Sequence, residues 1–223
     1  LAGGINASDD LFLHIGFTAL QALSKSGQSR PLHQNADGLI PAQGAAIVLL
    51  KRLEDAIADK NKIYGVIRGI GLANDGSKGG FLLPAQEGQI RAMKNAYQAN
   101  DITPNDISWI DSHATGTPVG DRVEMESLCH FFGKNTRVHI GTLKANIGHT
   151  ITASGAAALI NVLSALEHET QPPCCFNPDD SIDLLQNNHF QLLPEAIPWK
   201  SKNNPRYAAI NSFGFGGNNA HLI

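Results

Sequence analysis

Residues 107–143 run ISWIDSHATGTPVGDRVEMESLCHFFGKNTRVHIGTL. Residues 107–110 are a short apolar strand. Residues 122–132 are a helix that sets Val123, Leu128 and Phe131 on one face, with Gly133 as its stop. Residues 138–143 are a second strand. Working outward, the pattern repeats. The apolar run from Ala45 to Leu50, inside residues 38–53, suits a strand covered on both faces. Residues 63–70 are rich in β-branched side chains and read as a strand ended by the turn Asn74-Asp75-Gly76. Residues 87–99 place Ile90, Met93, Lys94 and Tyr97 at helical spacing. A long Ala/Leu-rich helix fills 151–168, ahead of Pro172 and Pro173, and a last strand at 207–211 runs into a glycine loop. Strand and helix alternate throughout, so the class is α/β with a substantially parallel sheet.

Composition narrows the function. At 223 residues the chain holds one large domain or two small ones. Hydrophobic residues are 42% and charged residues 17%, which excludes a disordered chain. The balance of 17 basic against 20 acidic residues leaves no basic surplus for nucleic acid. The cysteines, Cys129, Cys174 and Cys175, have no metal-ligand spacing and form no disulfide framework, so a reducing, cytoplasmic setting is expected. Residues 145–166 carry no Asp, Glu, Lys or Arg. They do include Asn146, His149, Thr150, Thr152, Ser154 and Asn161, which reads as a buried helix and not a membrane span. Both ends read as cut within apolar segments.

Three loops could carry chemistry. The first is DSHATGTPVGD at 111–121, where His113 follows a strand end, the usual place for functional groups in α/β folds. Taken alone, His113 could equally hydrogen-bond a neighbour. Asp121 and Glu124 have a local meaning of their own, as an Asp-x-x-Glu capping box before an apolar helix. The second is GTLKANIGH at 141–149. A buried Lys144 needs a carboxylate partner, and a helix start beside His149 favours neutral imidazole. An ordinary turn with a surface lysine is the alternative. The third is NSFGFGGNNAH at 211–221. Glycines on both sides of Phe215 free its amide to face a ligand oxygen. The loop lacks the spacing of a dinucleotide or P-loop site, and His221 on its apolar segment reads as structural.

Together and in this order, HxTGTPxGD, KxNIGH and NSFGFGGxNAH resemble the β-ketoacyl synthase (ketosynthase) family of fatty-acid and polyketide synthases. Leu1-Ala-Gly-Gly, Ala22-Leu-Ser, Asp37-Gly, Val48–Leu53 and Asn74-Asp-Gly76 look like further matching stations, so the resemblance covers the whole chain. It implies a thiolase-like fold layered α-β-α-β-α. Residues 1–76 would end the N-terminal half and residues 77–223 would form most of the C-terminal half. It also implies a nucleophilic cysteine upstream of Leu1, since Cys129, Cys174 and Cys175 are out of place for that role.

The resemblance implies decarboxylative Claisen condensation of a malonyl-type thioester with an enzyme-bound acyl group. His113 and His149 match the catalytic histidines and Lys144 the motif lysine, with Glu124 as its ion-pair partner. The Phe215 amide matches an oxyanion-hole donor. Thr115 and Thr117 match residues that bind the phosphopantetheine arm, while Asp121 and Asn219 support the site. Expected partners are an acyl carrier protein, whose phosphopantetheine carries the substrates, a second copy in a homodimer, the rest of the ketosynthase and neighbouring synthase domains. No intrinsic cofactor or metal is expected. Ala114, Gln43, Leu32-His33 and Asn218 depart from the usual glycine, glutamate, Phe-Asp and threonine, and bear on substrate positioning. A non-catalytic ketosynthase-like partner is the alternative. A thiolase is disfavoured, because no second cysteine lies near residue 223.

Overall fold

The computed structural model describes residues 1–7, 10–76, 83–98, 101–133, 136–186, 189–200 and 205–223. The chain opens with strand β1 (Ala2–Asn6), helix α1 (Asp10–Ala19), strand β2 (Gly44–Val48) and helix α2 (Leu53–Ala58). Strand β3 (Ile70–Asn74), helix α3 (Gln86–Tyr97), strand β4 (Ile107–Asp111) and helix α4 (Pro118–Phe132) follow. Strand β5 (Val138–Gly141) leads to the single turn α5 (Lys144–Ile147) and then to helix α6 (Ser154–Glu167). Short pieces come next: β6 (Thr170–Gln171), α7 (Asp183–Gln186), β7 (Phe190–Gln191) and β8 (Ile197–Pro198). The hairpin β9 (Tyr207–Phe213) and β10 (Asn218–Leu222) completes the order.

Six strands form one mixed sheet in the order β3-β10-β9-β4-β5-β7. Strands β9, β4, β5 and β7 run parallel, while β10 is antiparallel to both of its neighbours. The parallel part follows the sequence-based expectation. Side-chain alternation divides β4 between two cores. Ile107 and Ile110 join Met93 of α3 and Met125 and Leu128 of α4, whereas Trp109 joins Val162 of α6. A register shift between Ile107 and Trp109 accounts for the broken alternation. Trp109 meets Trp199 edge-to-face at 5.9 Å, and the Trp199 indole N–H donates to Ser108 Oγ at 2.8 Å. Such a ring pair adds about 0.5–1.5 kcal/mol beyond burial.

Helix α6 packs against β9 on one side and the antiparallel ribbon β1–β2 on the other. The layers therefore run helix, sheet, helix, sheet. Among the described residues no helix is long and apolar enough to cross a membrane.

Three expectations shift. Residues 63–69 are not a strand, and regular pairing begins at Ile70. Gly65 lets this run lie on α6, since a Cβ there would sit 2.7 Å from Leu163 Cδ2, and the amides of Arg68 and Gly69 turn to the Ile223 carbonyl instead. Strand β2 is not covered on both faces. Ala46 is buried toward α6, but Ala45 and Ile47 on the opposite face are exposed. The helix expected from residue 151 starts with a 3-10 turn at Ile151–Ala153 before α6 proper.

Candidate active site

The three loops meet beyond the ends of the parallel strands β4, β5 and β9. Both the amide and the Oγ of Ser112 donate to the Gly141 carbonyl, at 2.7 and 2.9 Å, tying the end of β4 to the end of β5. Pro118 begins α4 with Thr117 as its cap, because proline suits the first helical position. Asp121 and Glu124 consequently lie inside the helix, and the capping-box expectation fails. Both are buried and serve the loop before the helix. Asp121 Oδ1 accepts the amides of Thr115 (3.0 Å) and Gly116 (3.1 Å), and its Oδ2 accepts that of Leu32 (2.7 Å). Glu124 Oε1 accepts the His113 amide at 2.8 Å and Asn211 Nδ2 at 2.8 Å, and Oε2 accepts the Ala114 amide at 2.7 Å. Gly116 has φ +87°, and a Cβ there would meet the Gly38 carbonyl at 2.8 Å.

This bracing brings His113 to His149, with ring centroids 5.5 Å apart and planes at 82°. Phe213 lies 6.3 Å from the His113 ring. His149 is stitched to the segment before β2: its amide donates to the Ile40 carbonyl at 2.7 Å, and its carbonyl accepts from the Ala42 amide at 2.9 Å. Its Nδ1 accepts the Ile151 amide at 3.1 Å, so the proton of the neutral ring sits on Nε2. Ile151 delivers that amide from φ +45°, a conformation costing a β-branched residue about 1–3 kcal/mol.

Both imidazoles are held neutral. Burial, then the charge of Lys144, pushes His149 down to about 3. The same two causes, with His149 added, push His113 well below the ordinary imidazole value. His149 stands just ahead of the 3-10 turn at Ile151–Ala153 that leads into α6, and the Ile151 amide it accepts opens that turn. Burial remains the main cause of its neutrality. His113 Nδ1 is buried with no hydrogen-bond partner among the described residues.

Lys144 is buried at the start of α5, and its carbonyl accepts Ser29 Oγ at 2.7 Å. The expected contact ion pair with Glu124 does not form: among the described residues no carboxylate lies within 4.0 Å of Lys144 Nζ. Glu124 is already occupied by its three N–H donors. Burial pushes the lysine below its usual value, while the carboxylates of Asp111, Glu124 and Asp121 pull it back through space.

Asp111 is the group the sequence reading missed. It is fully buried at the end of β4, and its Oδ2 accepts Asn161 Nδ2 at 2.7 Å. Its Oδ1 has no partner among the described residues. Burial holds it up to about 6, against the pull of Lys144. Its signal in the sequence was its place two residues before His113, at the end of a strand.

Phe215 sits on the turn between β9 and β10, which the amides of Gly214 and Gly217 close onto the Asn218 and Gly214 carbonyls. Its ring is half exposed, against Phe17 of α1 at 5.8 Å. Asn219 braces this turn, donating to the Gly217 carbonyl at 3.1 Å and to Asp75 Oδ1 at 2.6 Å. The Thr115 and Thr117 hydroxyls lie 3.0 Å apart. A cleft of about 360 Å³ between β1–β2, α6 and the hairpin is lined by Gly3, Val48, Gly155, Ser212 and Leu222, and by neither histidine. The described residues hold no metal-binding cluster. Burial raises the thiols of Cys129 and Cys175, and the Cys174 thiol donates to the Phe176 carbonyl at 2.9 Å.

Comparison with known proteins gives three family matches in chain order. Residues 1–56 match "Beta-ketoacyl synthase, N-terminal domain", 64–176 its "C-terminal domain", and 178–223 the "Ketoacyl-synthetase C-terminal extension". A polyunsaturated fatty acid synthase polypeptide of a Thraustochytrium species is 37% identical over the whole chain, and pikromycin polyketide synthase component PikAIII of Streptomyces venezuelae is 34% identical. The chain spans 11% and 15% of the length of those two proteins. The ketosynthase from module 6 of the Bacillus subtilis 168 bacillaene synthase superposes on 99% of the chain with a TM-score of 0.92 at 34% identity, using 41% of its own length. The thiolase-like fold is therefore present, and with over half of its residues inside the C-terminal-domain match alone, the chain belongs to the beta-ketoacyl synthase family.

Proposed function

We propose that this chain supplies the decarboxylating part of a β-ketoacyl-acyl-carrier-protein synthase in polyketide or polyunsaturated fatty-acid synthesis. The observation that carries the reading is the pair of buried, neutral imidazoles 5.5 Å apart. A malonyl thioester that loses CO₂ leaves the bond's electrons as an enolate on the thioester carbonyl. Neutral N–H donors placed at that oxygen stabilise the developing charge without needing to give up a proton. The His149 Nε2–H is available for this, since Nδ1 is engaged. The enolate carbon then attacks an acyl thioester, and a cysteine thiolate leaves. That cysteine is supplied by residues outside these 223.

The Phe215 amide stabilises the tetrahedral oxyanion of acyl transfer, and Thr115 and Thr117 bind the phosphopantetheine arm of a carrier protein. Lys144 favours the charged form of Asp111 and Glu124 and the neutral form of both histidines. No intrinsic cofactor takes part. The domain works in the cytoplasm, as a homodimer, beside other synthase domains. We set the division between its halves ahead of β3 and not at Gly76, because β3 pairs with β10. Retention of both histidines favours condensation over a non-catalytic partner role.

The test separates the two half-reactions in the full synthase domain. His113→Ala or His149→Ala is expected to lower malonyl-carrier CO₂ release by ~10²-fold or more. Acyl loading, followed by mass spectrometry of the acyl-enzyme, survives in part because the Phe215 amide is untouched. CO₂ release at the wild-type rate in either variant overturns the assignment.

A further inference from the structure

The site extends behind the groups that meet substrate. Asn211 on β9 and His221 on β10 are register partners, and both are buried. Asn211 gives its Nδ2 hydrogen to Glu124 Oε1. An amide oriented that way presents Oδ1 to the opposite side, where it lies 2.6 Å from His221 Nδ1. The oxygen can only accept, so Nδ1 of His221 carries the ring proton. Nε2 is then a bare acceptor with no partner among the described residues, beside the stacked ring of Tyr97 at 5.6 Å. Leaving such an atom buried and unmatched costs about 1–3 kcal/mol. An aliphatic side chain would fill this place without that cost, so the Nδ1–H has a task beyond packing.

We propose that His221 is a positioning residue: its Nδ1–H fixes the Asn211 amide toward Glu124, and Glu124 in turn holds the His113–Ala114 backbone and aims the His113 ring. The same cross-strand pair roots the hairpin whose turn carries Phe215, so one hydrogen bond aligns both arms of the site. Glu124 is also faced by Lys144, Asp111 and Asp121 through space. An Asn211 amide that turned would add a lone pair to this acidic group and loosen its grip on the loop. The inference rests on the function proposed above.

The experiment uses the full synthase domain with malonyl-loaded carrier protein. His221→Asn keeps an N–H where Nδ1 stood, and its kcat for CO₂ release is expected to stay close to wild type. His221→Leu fills the space without a donor, and kcat is expected to fall roughly tenfold or more through a displaced catalytic group, with KM little changed. Asn211→Asp is isosteric and sets two carboxyls face to face, so they share one proton. Its rate is expected to decline toward high pH where the wild-type rate does not. Equal losses in His221→Leu and His221→Asn, or wild-type kcat in His221→Leu, overturn the proposal. If His221→Leu does not fold, a wild-type pH profile in Asn211→Asp overturns it. A wild-type domain that releases no CO₂ overturns the proposed function and this inference together, whereas wild-type release with indifferent variants removes this inference alone.

Discussion

At the scale of single residues, burial sets the protonation state of the site. His149 and His221 are each pushed down to about 3 in the fold, against 6.5 for the exposed group. Between those values the unfolded chain binds protons that the folded chain refuses. Their contribution to stability is whole above pH 6.5 and is lost as pH falls toward 3. Asp111 and Asp121, raised to about 6 and about 7 from 3.8, act with the opposite sign, because the folded state takes their protons first. Their effect is complete near pH 4, so the steepest acid loss belongs to the histidines. His149→Asn keeps an acceptor for the Ile151 amide. It is expected to flatten the fall of unfolding free energy below pH 6.5 by up to about 1.4 kcal/mol per pH unit. Urea unfolding across a pH series checks this, and an unchanged slope means that the folded His149 is protonated. His113, His149 and Lys144 were legible because each belongs to a motif that follows a strand end. Asp111 was not, because a strand-end aspartate looks like any loop residue until Asn161 is folded across from it. Glu124 was misread as a cap because its three donors come from two segments, and Asn211 lies 87 residues away.

At the scale of elements, the sheet's edge depends on one close approach. Helix α3 sits so near β3 that a Cβ at Gly71 would fall 1.8 Å from the Ala92 carbonyl and 2.5 Å from the Ala96 amide. Both atoms belong to backbone and cannot step aside. Gly71→Ala is expected to cost about 3 kcal/mol, seen as a lower midpoint in denaturant unfolding of the full domain. An unchanged midpoint refutes the tight packing of α3. Elements with one face buried and one wet were legible, as α3 and α4 show. The misplacement of β3 has a different origin, since residues 63–69 carry a strand's alternation but the amides of Arg68 and Gly69 turn to the Ile223 carbonyl. Helix α1 escaped the sequence reading because its apolar residues give no clear stripe: Leu11, Phe12 and Ile15 are all exposed.

At the scale of the molecule, much apolar surface is uncovered. Ile5 and Ile47 of the β1–β2 ribbon and Leu49 just past it are 60%, 55% and 77% exposed, and the apolar residues of α1 add to them. Surface of this kind marks an interface, and an unpaired strand edge is a ready template for another. The full-length protein carrying this chain is expected to be a dimer at micromolar concentration. Light scattering checks the prediction, and a clean monomer refutes it.

The strand order also carries a consequence in time. β10 lies between β3 and β9, so a strand ending at Leu222 joins one that begins at Ile70. A chain made at roughly 5–20 residues per second leaves the ribosome from its amino end. β3 must therefore wait, unpaired, through the synthesis of everything between. Pairings so distant along the chain are slow to close. Until they do, His113 and His149 can already be neighbours while the Phe215 turn has no place to dock. During biosynthesis, the two histidines of the proposed chemistry are made before the hairpin that aims His113 and carries Phe215.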